Sequence, residues 1–323
     1  MRPVVQLALI LSAVTVSISA QAATGSETFT PTYTTTQNAT KHFRGFVRSE
    51  RAQNFLAVAN RKSFVSATNV VPGQYSMKGQ AGPVEDQGQC GSCWDFSLTS
   101  VLRGTWIMEG NDPGRLSFNY LLNCATTEQA CNGGDFSAAD YFIAPKGAPA
   151  YGSDGDYTAG EAGVSGTCQA EPAISSTVDY HMLGNGGAPS FQDIAYVVGV
   201  LHRPVSIDVA ADDSWDTYKS GVFNNCSNTQ IDHMVAIEGY DCETSVDSNG
   251  NCVFDSKGNL PPGVGRWIVR NSWGASWGEE GYIEIKATDK TGALCAAVAT
   301  DALYYDVTQS QVNSQIEALL GKL

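Results

Sequence analysis

Apolar and polar positions fall into distinct regimes along the chain. Behind Arg2, residues 4–18 are mostly apolar and lead to Ala20-Gln21-Ala22. That run, closed by small residues, predicts a cleavable export signal over 1–22. Thr15, Ser17 and Ser19 dilute a stretch already short for a bilayer. Residues 23–40, rich in Thr, Ser and Gln, show no periodicity. Over 41–66, Phe43, Phe46, Val47, Phe55, Leu56 and Val58 recur at helical spacing, with Arg44, Arg48, Arg51, Arg61 and Lys62 on the other faces. The pattern predicts an amphipathic helix there. Farther on, 94–109 and 117–122 read as helices. Residues 204–209, 234–240, 267–270 and 282–286 read as strands. Helices thus dominate up to about 185 and strands after it, an α+β arrangement in two halves. A last apolar spacing (Ile316, Leu319, Leu320) suggests a short helix in the tail.

The charge count separates the early basic stretch from the rest. The 323 residues carry 19 bases and 33 acids, a net charge of −14. Residues 23–71 hold six bases and two acids; 72–323 hold 12 bases and 31 acids. A basic segment ahead of an acidic body predicts a pro-segment held by charge, against the plainer alternative of a solvated helix. The acidic balance and the lack of any Lys/Arg stripe exclude generic nucleic-acid binding. With 42% apolar residues the chain can bury a full core. Nine cysteines in an exported chain predict disulfides, and the odd count allows four bridges with one free thiol or a less regular set.

The chemistry concentrates in three segments. The first is Gln87-Gly-Gln-Cys-Gly-Ser-Cys93-Trp. The second places His233 in an apolar strand pattern, Ile231-Asp-His-Met-Val-Ala. The third holds Asn271 in Trp267-Ile-Val-Arg-Asn-Ser-Trp273-Gly. A helix starting near Cys93 would aim its positive end at the sulfur and favour the thiolate. His233 can take the proton, and Asn271 can fix the imidazole by accepting from its other nitrogen. Taken singly, Cys93 could be half of a disulfide, His233 a core residue and Asn271 a turn residue.

Together, in this order, the segments resemble the papain-like (cathepsin-type) cysteine proteases. The resemblance covers about 72–306. It implies a two-lobe α+β fold, with a helical N-terminal lobe, a β-barrel-like C-terminal lobe and the cleft between them. It divides the chain into signal peptide (1–22), pro-segment (23–71), peptidase domain (72–306) and tail (307–323). It gives Cys93 as nucleophile, His233 as proton carrier, Asn271 as orienter and Gln87 as oxyanion donor, with Trp273 shielding the His–Asn bond. Gly133 and Gly134 would contact substrate backbone, Asp232 would line the primed side of the cleft, and Met234, Ile231 and Thr300 a moderately apolar second subsite. It implies the bridges Cys90–Cys131, Cys124–Cys168 and Cys226–Cys295. Cys242 and Cys252, ten residues apart around Asn249-Gly250, would then staple a local hairpin.

No cofactor or metal is called for. Partners would be protein or peptide substrates and the chain's own pro-segment, with no nucleic acid and no membrane, acting as a monomer. The compartment would be extracellular, with periplasm and lysosome as alternatives. No His-His pair lies between Gly134 and Cys168, which favours an endopeptidase over a carboxydipeptidase. The Asp247-Ser-Asn-Gly-Asn251 stretch has Cys252 where a calcium loop needs Gly. Asn38 and Asn225 lie in glycosylation sequons.

Two departures stand out. Asp95 occupies a position usually held by a small residue, and its carboxylate could face either the sulfur or solvent. The pro-segment keeps only fragments of the family helix, such as Arg51 and Phe55, and lacks the usual Asp-Trp-Arg near the mature start. Processing is expected near 67–73, with acid pH weakening the hold. The rivals are a catalytically silent peptide-binding protein and a structural or adhesive surface protein.

Overall fold

The computed structural model describes residues 33–35, 40–169 and 171–307. The export signal, most of 23–39 and the tail helix lie outside the described residues.

The organising element is the helix Cys93–Met108. Its apolar residues are not confined to one stripe: Trp94, Phe96, Leu98, Val101, Leu102 and Trp106 are all buried. Such a helix is covered all round, and this one runs between two apolar clusters. Gly110, at φ 85°, returns its N–H to the Ile107 carbonyl and ends it.

One cluster joins this helix to Leu116, Leu121, Phe136 and Phe142. The other gathers the strand residues Val205, Ile207, Val235, Ile237, Trp267 and Ile283 around Trp215 and Trp277. The two cores follow the division at about 185 only in part: the helical cluster also takes Met234, Leu303 and Tyr305, and the strand cluster takes Val71, Met77 and Ala81. Apart from a separate pair, Ala148–Pro149 with Ala173–Ser175, the strands form one path, in the order Tyr33–Thr35, Tyr218–Phe223, Tyr282–Lys286, Arg266–Arg270, His233–Asp241, Val205–Val209, Ala302–Asp306, Asp179–Leu183, Arg61–Lys62. Gln74–Ser76 pairs beside it with His233–Asp241. The path is open, with no closing pair among the described strands, so the barrel-like expectation is replaced by an open, mostly antiparallel sheet.

The early basic stretch departs from its pattern. Only Glu50–Val58 is helical, capped by Ser49, whose hydroxyl accepts the Ala52 N–H. Residues 40–49 form no helix, and Phe46 bridges to Gly134. Their backbone groups pair with the body: Phe46 N–H donates to the Asp232 carbonyl, Val47 N–H to the Gly134 carbonyl, and Gly134 N–H to the Gly45 carbonyl. These tertiary hydrogen bonds outweigh the weak local preference for helix. Tyr33–Thr35 and Arg61–Lys62 each add a strand to an end of the sheet path. The segment therefore crosses the body as a strap.

Candidate active site

Cys93 is the first residue of its helix, with Ser92 as N-cap. The sulfur is fully buried and accepts the Gly45 N–H at 3.2 Å. Burial pushes the thiol up to about 12; backbone groups of Met234, Gly45 and Trp94 oppose that rise, and the Asp232 charge adds to it. Asp95 does not face the sulfur. Two residues along a helix is a turn of about 200°, so its side chain leaves on the opposite face. There Asp95 Oδ1 accepts the Thr99 hydroxyl at 2.9 Å, and burial raises its pKa well above the ordinary aspartate value.

His233 opens the strand His233–Asp241, directly across from Val209. Its Nε2 lies 2.8 Å from Asn271 Oδ1. The Ser272 backbone N–H also points at that oxygen, at 2.8 Å. A backbone N–H can only donate, so the amide orientation is fixed and Nε2 must carry the imidazole proton. That leaves Nδ1 as the acceptor, and it has no hydrogen-bond partner. Trp273 lies over the ring at a centroid distance of 4.9 Å. Burial lowers His233 to about 3, so the thiol and imidazole beneath the strap are both neutral.

Gln87 is held by its own surroundings. Its Oε1 accepts the Ser272 hydroxyl at 2.6 Å, which directs Nε2 the other way. Nε2 donates to the Cys90 carbonyl at 2.8 Å and to the Phe43 carbonyl at 3.1 Å. A peptide carbonyl of the strap thus occupies the donor site of Gln87, while the amide of Gly45 rests on the sulfur. Gly45 can lie there because it lacks a side chain: a Cβ would stand 1.7 Å from the Gly91 carbonyl oxygen. Gly134 is under the same constraint from the other side, since its Cβ would meet the Trp94 ring at 2.5 Å.

The remaining expected positions divide. Gly133, Gly134 and Asp232 line the strap. Met234 is fully buried opposite Asp208, and the Thr300 hydroxyl turns back to the Ala297 carbonyl at 3.1 Å. Burial raises the Asp232 carboxyl to about 6 against the nearby Arg44. All four bridges form as paired above, and Cys93 is the free thiol. Asp247 spends its carboxylate on the N–H groups of Asn249 and Asn251, and Asn225 donates to Asp212.

Sequence reasoning missed three features. His42 stacks on Trp273 at 4.5 Å. Arg44 reaches Asp216 at 3.2 Å and Asp232 at 3.7 Å. Asp208 and Asp301 form a buried acid pair that takes Arg48. The last left a legible signal, an acid inside the apolar run Val205-Ser-Ile-Asp-Val209.

Comparison with known proteins bears on the same region. The sequence profile for papain family cysteine proteases matches residues 73–305. Vignain of Vigna mungo is 37% identical over 221 residues, covering 68% of this chain and 55% of vignain. The chain spans about half the length of the curated relatives it matches. Among solved structures, digestive procathepsin L 3 of Tenebrio molitor larval midgut superposes with a TM-score of 0.59 at 26% identity, over 80% of this chain and 79% of that one. Bromelain from Ananas comosus, in complex with the E64 inhibitor, gives 0.57 at 29%, over 74% and 100%.

Proposed function

The chain belongs to the papain family of cysteine proteases, and we propose that it is an exported cysteine endopeptidase captured in its latent form. In this reading residues 72–306 are the peptidase and 23–71 its inhibitory pro-segment. The observation that carries it is the strap's occupation of three substrate-type positions at once: the Gln87 amide, the Cys93 sulfur and the Gly134 backbone.

The direction of the strap explains why it inhibits instead of being cut. A substrate residue held by both groups would give its N–H to the Asp232 carbonyl and then its own C=O to Gln87. The strap meets Gln87 first, through Phe43, and Asp232 later, through Phe46. It runs through the site the opposite way, so its carbonyl is not presented to the sulfur as a substrate's would be.

Once the strap leaves, water returns and the cost of charging the pair falls. The thiol proton passes to His233 Nδ1, giving thiolate and imidazolium. The sulfur attacks the scissile carbonyl carbon. Negative charge develops on its oxygen, facing Gln87 Nε2 and the Cys93 backbone N–H. One such donor lowers the barrier by about 2.7–4 kcal/mol. Collapse breaks the C–N bond, and the amine leaves with the imidazolium proton. Water, deprotonated by His233, then cleaves the thioester and regenerates the thiol. Trp273, packed against the His233 ring, helps keep solvent from the His233–Asn271 bond.

The test is hydrolysis of a fluorogenic peptide by the processed protein. Cys93→Ser should reduce kcat by at least a thousandfold while all four bridges form. Undiminished hydrolysis in that variant overturns the assignment.

A further inference from the structure

Behind the strap, carboxylates from two strand segments share one buried site. Asp208 lies in Val205–Val209 and pairs across the sheet with Met234, the neighbour of His233. Asp301 immediately precedes the strand Ala302–Asp306, which pairs with the same strand. The Asp301 backbone N–H donates to Asp208 Oδ1 at 2.8 Å, so the two are fixed side by side. The Asp208 side chain is wholly buried and that of Asp301 nearly so. Two carboxylates this deep require a cation or a proton.

The cations come from the strap. Arg48 Nη2 lies 3.3 Å from Asp208 Oδ2 and also pairs with Asp301 Oδ2. Arg61 Nη2 stands 3.6 Å from Asp301 Oδ1. Arg48 follows Val47, which is bonded to Gly134, and lies three residues beyond Gly45 on the sulfur. The acid pair therefore belongs to the wall of the same cleft. It is flanked by Met234 and Thr300, where an apolar second subsite was expected. Removing the strap takes away both guanidinium groups and leaves the carboxylates facing the cleft.

We propose that Asp208 and Asp301 form a side-chain pocket of the processed enzyme that selects Lys or Arg at the second residue before the scissile bond, with Arg48 as its internal occupant in the latent form. This rests on the peptidase reading above. The competing view is that the pair is only a latch for the strap. A latch would have no effect on peptide choice after the strap is gone.

The experiment uses processed enzyme, with its active sites counted by an epoxide thiol inhibitor. Fluorogenic peptides identical except for Arg, Lys, Leu or Phe at that residue are compared by kcat/KM. The basic peptides should exceed the Leu peptide by at least tenfold, mainly through KM. Asp301→Asn should reduce that ratio at least tenfold, and Asp301→Glu should retain part of it. Equal or better hydrolysis of Leu and Phe peptides by unmodified, titratable enzyme overturns the proposal and leaves the peptidase reading standing. An Arg/Leu ratio unmoved by Asp301→Asn in titratable enzyme also overturns it. Failure of every peptide together with no titratable thiol overturns both. If the variant does not fold, the ratio measured in unmodified enzyme still decides.

Discussion

The strap and the body it crosses are held by different physics. The body buries two apolar clusters and closes four disulfides. Between residues 40 and 70 the buried residues are few, among them Gly45, Phe46 and Ala52. Burying Phe46 contributes roughly 1.5–3 kcal/mol, a small share of what a folded domain needs. Phe55, Leu56 and Phe64 pack only partly buried against the two clusters and His42 stacks on Trp273; backbone hydrogen bonds and ion pairs add to these: Arg44 with Asp216 and Asp232, Arg48 with Asp208 and Asp301, Lys62 with Asp306. A region held this way can leave without unfolding what it covers. The same acids that attract it then remain on the cleft wall.

The difference can be broken from either side. The largest effect belongs to the body. Arg270 pairs with the fully buried Glu238 at 2.9 Å and donates to the Ala81 and Gly82 carbonyls. Arg270→Ala strands that carboxylate and should cost about 3–5 kcal/mol in urea unfolding of the processed protein. A loss below 1 kcal/mol would mean the body tolerates an unpaired buried charge.

Next comes Gly45→Ala in the strap. The added Cβ cannot fit against Gly91, and relief requires the strap to lift, at about 1–3 kcal/mol. Thiol labelling of the intact chain should quicken by about fivefold to a hundredfold, with the unfolding midpoint of the body unchanged. The smallest effect is expected at the edge. Lys62 and Asp306 are partly exposed and 3.9 Å apart, so Lys62→Ala should shift strap release by less than about 1 kcal/mol.

Much of the body was legible in the sequence because there local pattern and tertiary context agree. The helix read at 94–109 forms as Cys93–Met108, and the strands at 267–270 and 282–286 fall within a residue of their observed ends. The strap was misread because its apolar spacing is real over Glu50–Val58 only. Upstream, the cleft's Gly134 and Asp232 backbone groups decide the conformation, and they lie far away in sequence. Cys93, His233, Asn271 and Gln87 carried local motifs; His233 pairs with Asn271, and the strap bonds both Gln87 and Cys93. Asp208 left only the sign of an acid in an apolar run, and Asp301 carried no motif. Their meeting depends on pairing between strands about 93 residues apart. The orientation of Asp95 needed the helix register before it could be settled.

Accessibility of Cys93 before and after strap removal tests the account most directly. An epoxide thiol inhibitor is added to intact chain and to processed chain from pH 5 to 9, and the adduct is located by peptide mapping. With burial holding the thiol near 12 and His233 near 3, the intact chain offers little thiolate anywhere in that range. Labelling should stay slow across it. The processed chain should take up one equivalent, on Cys93, already at mildly acid pH, where the imidazolium stabilises the thiolate. Equal labelling rates for the two forms would contradict the strap's role. No labelling of processed chain with all four bridges intact would contradict Cys93 as the nucleophile.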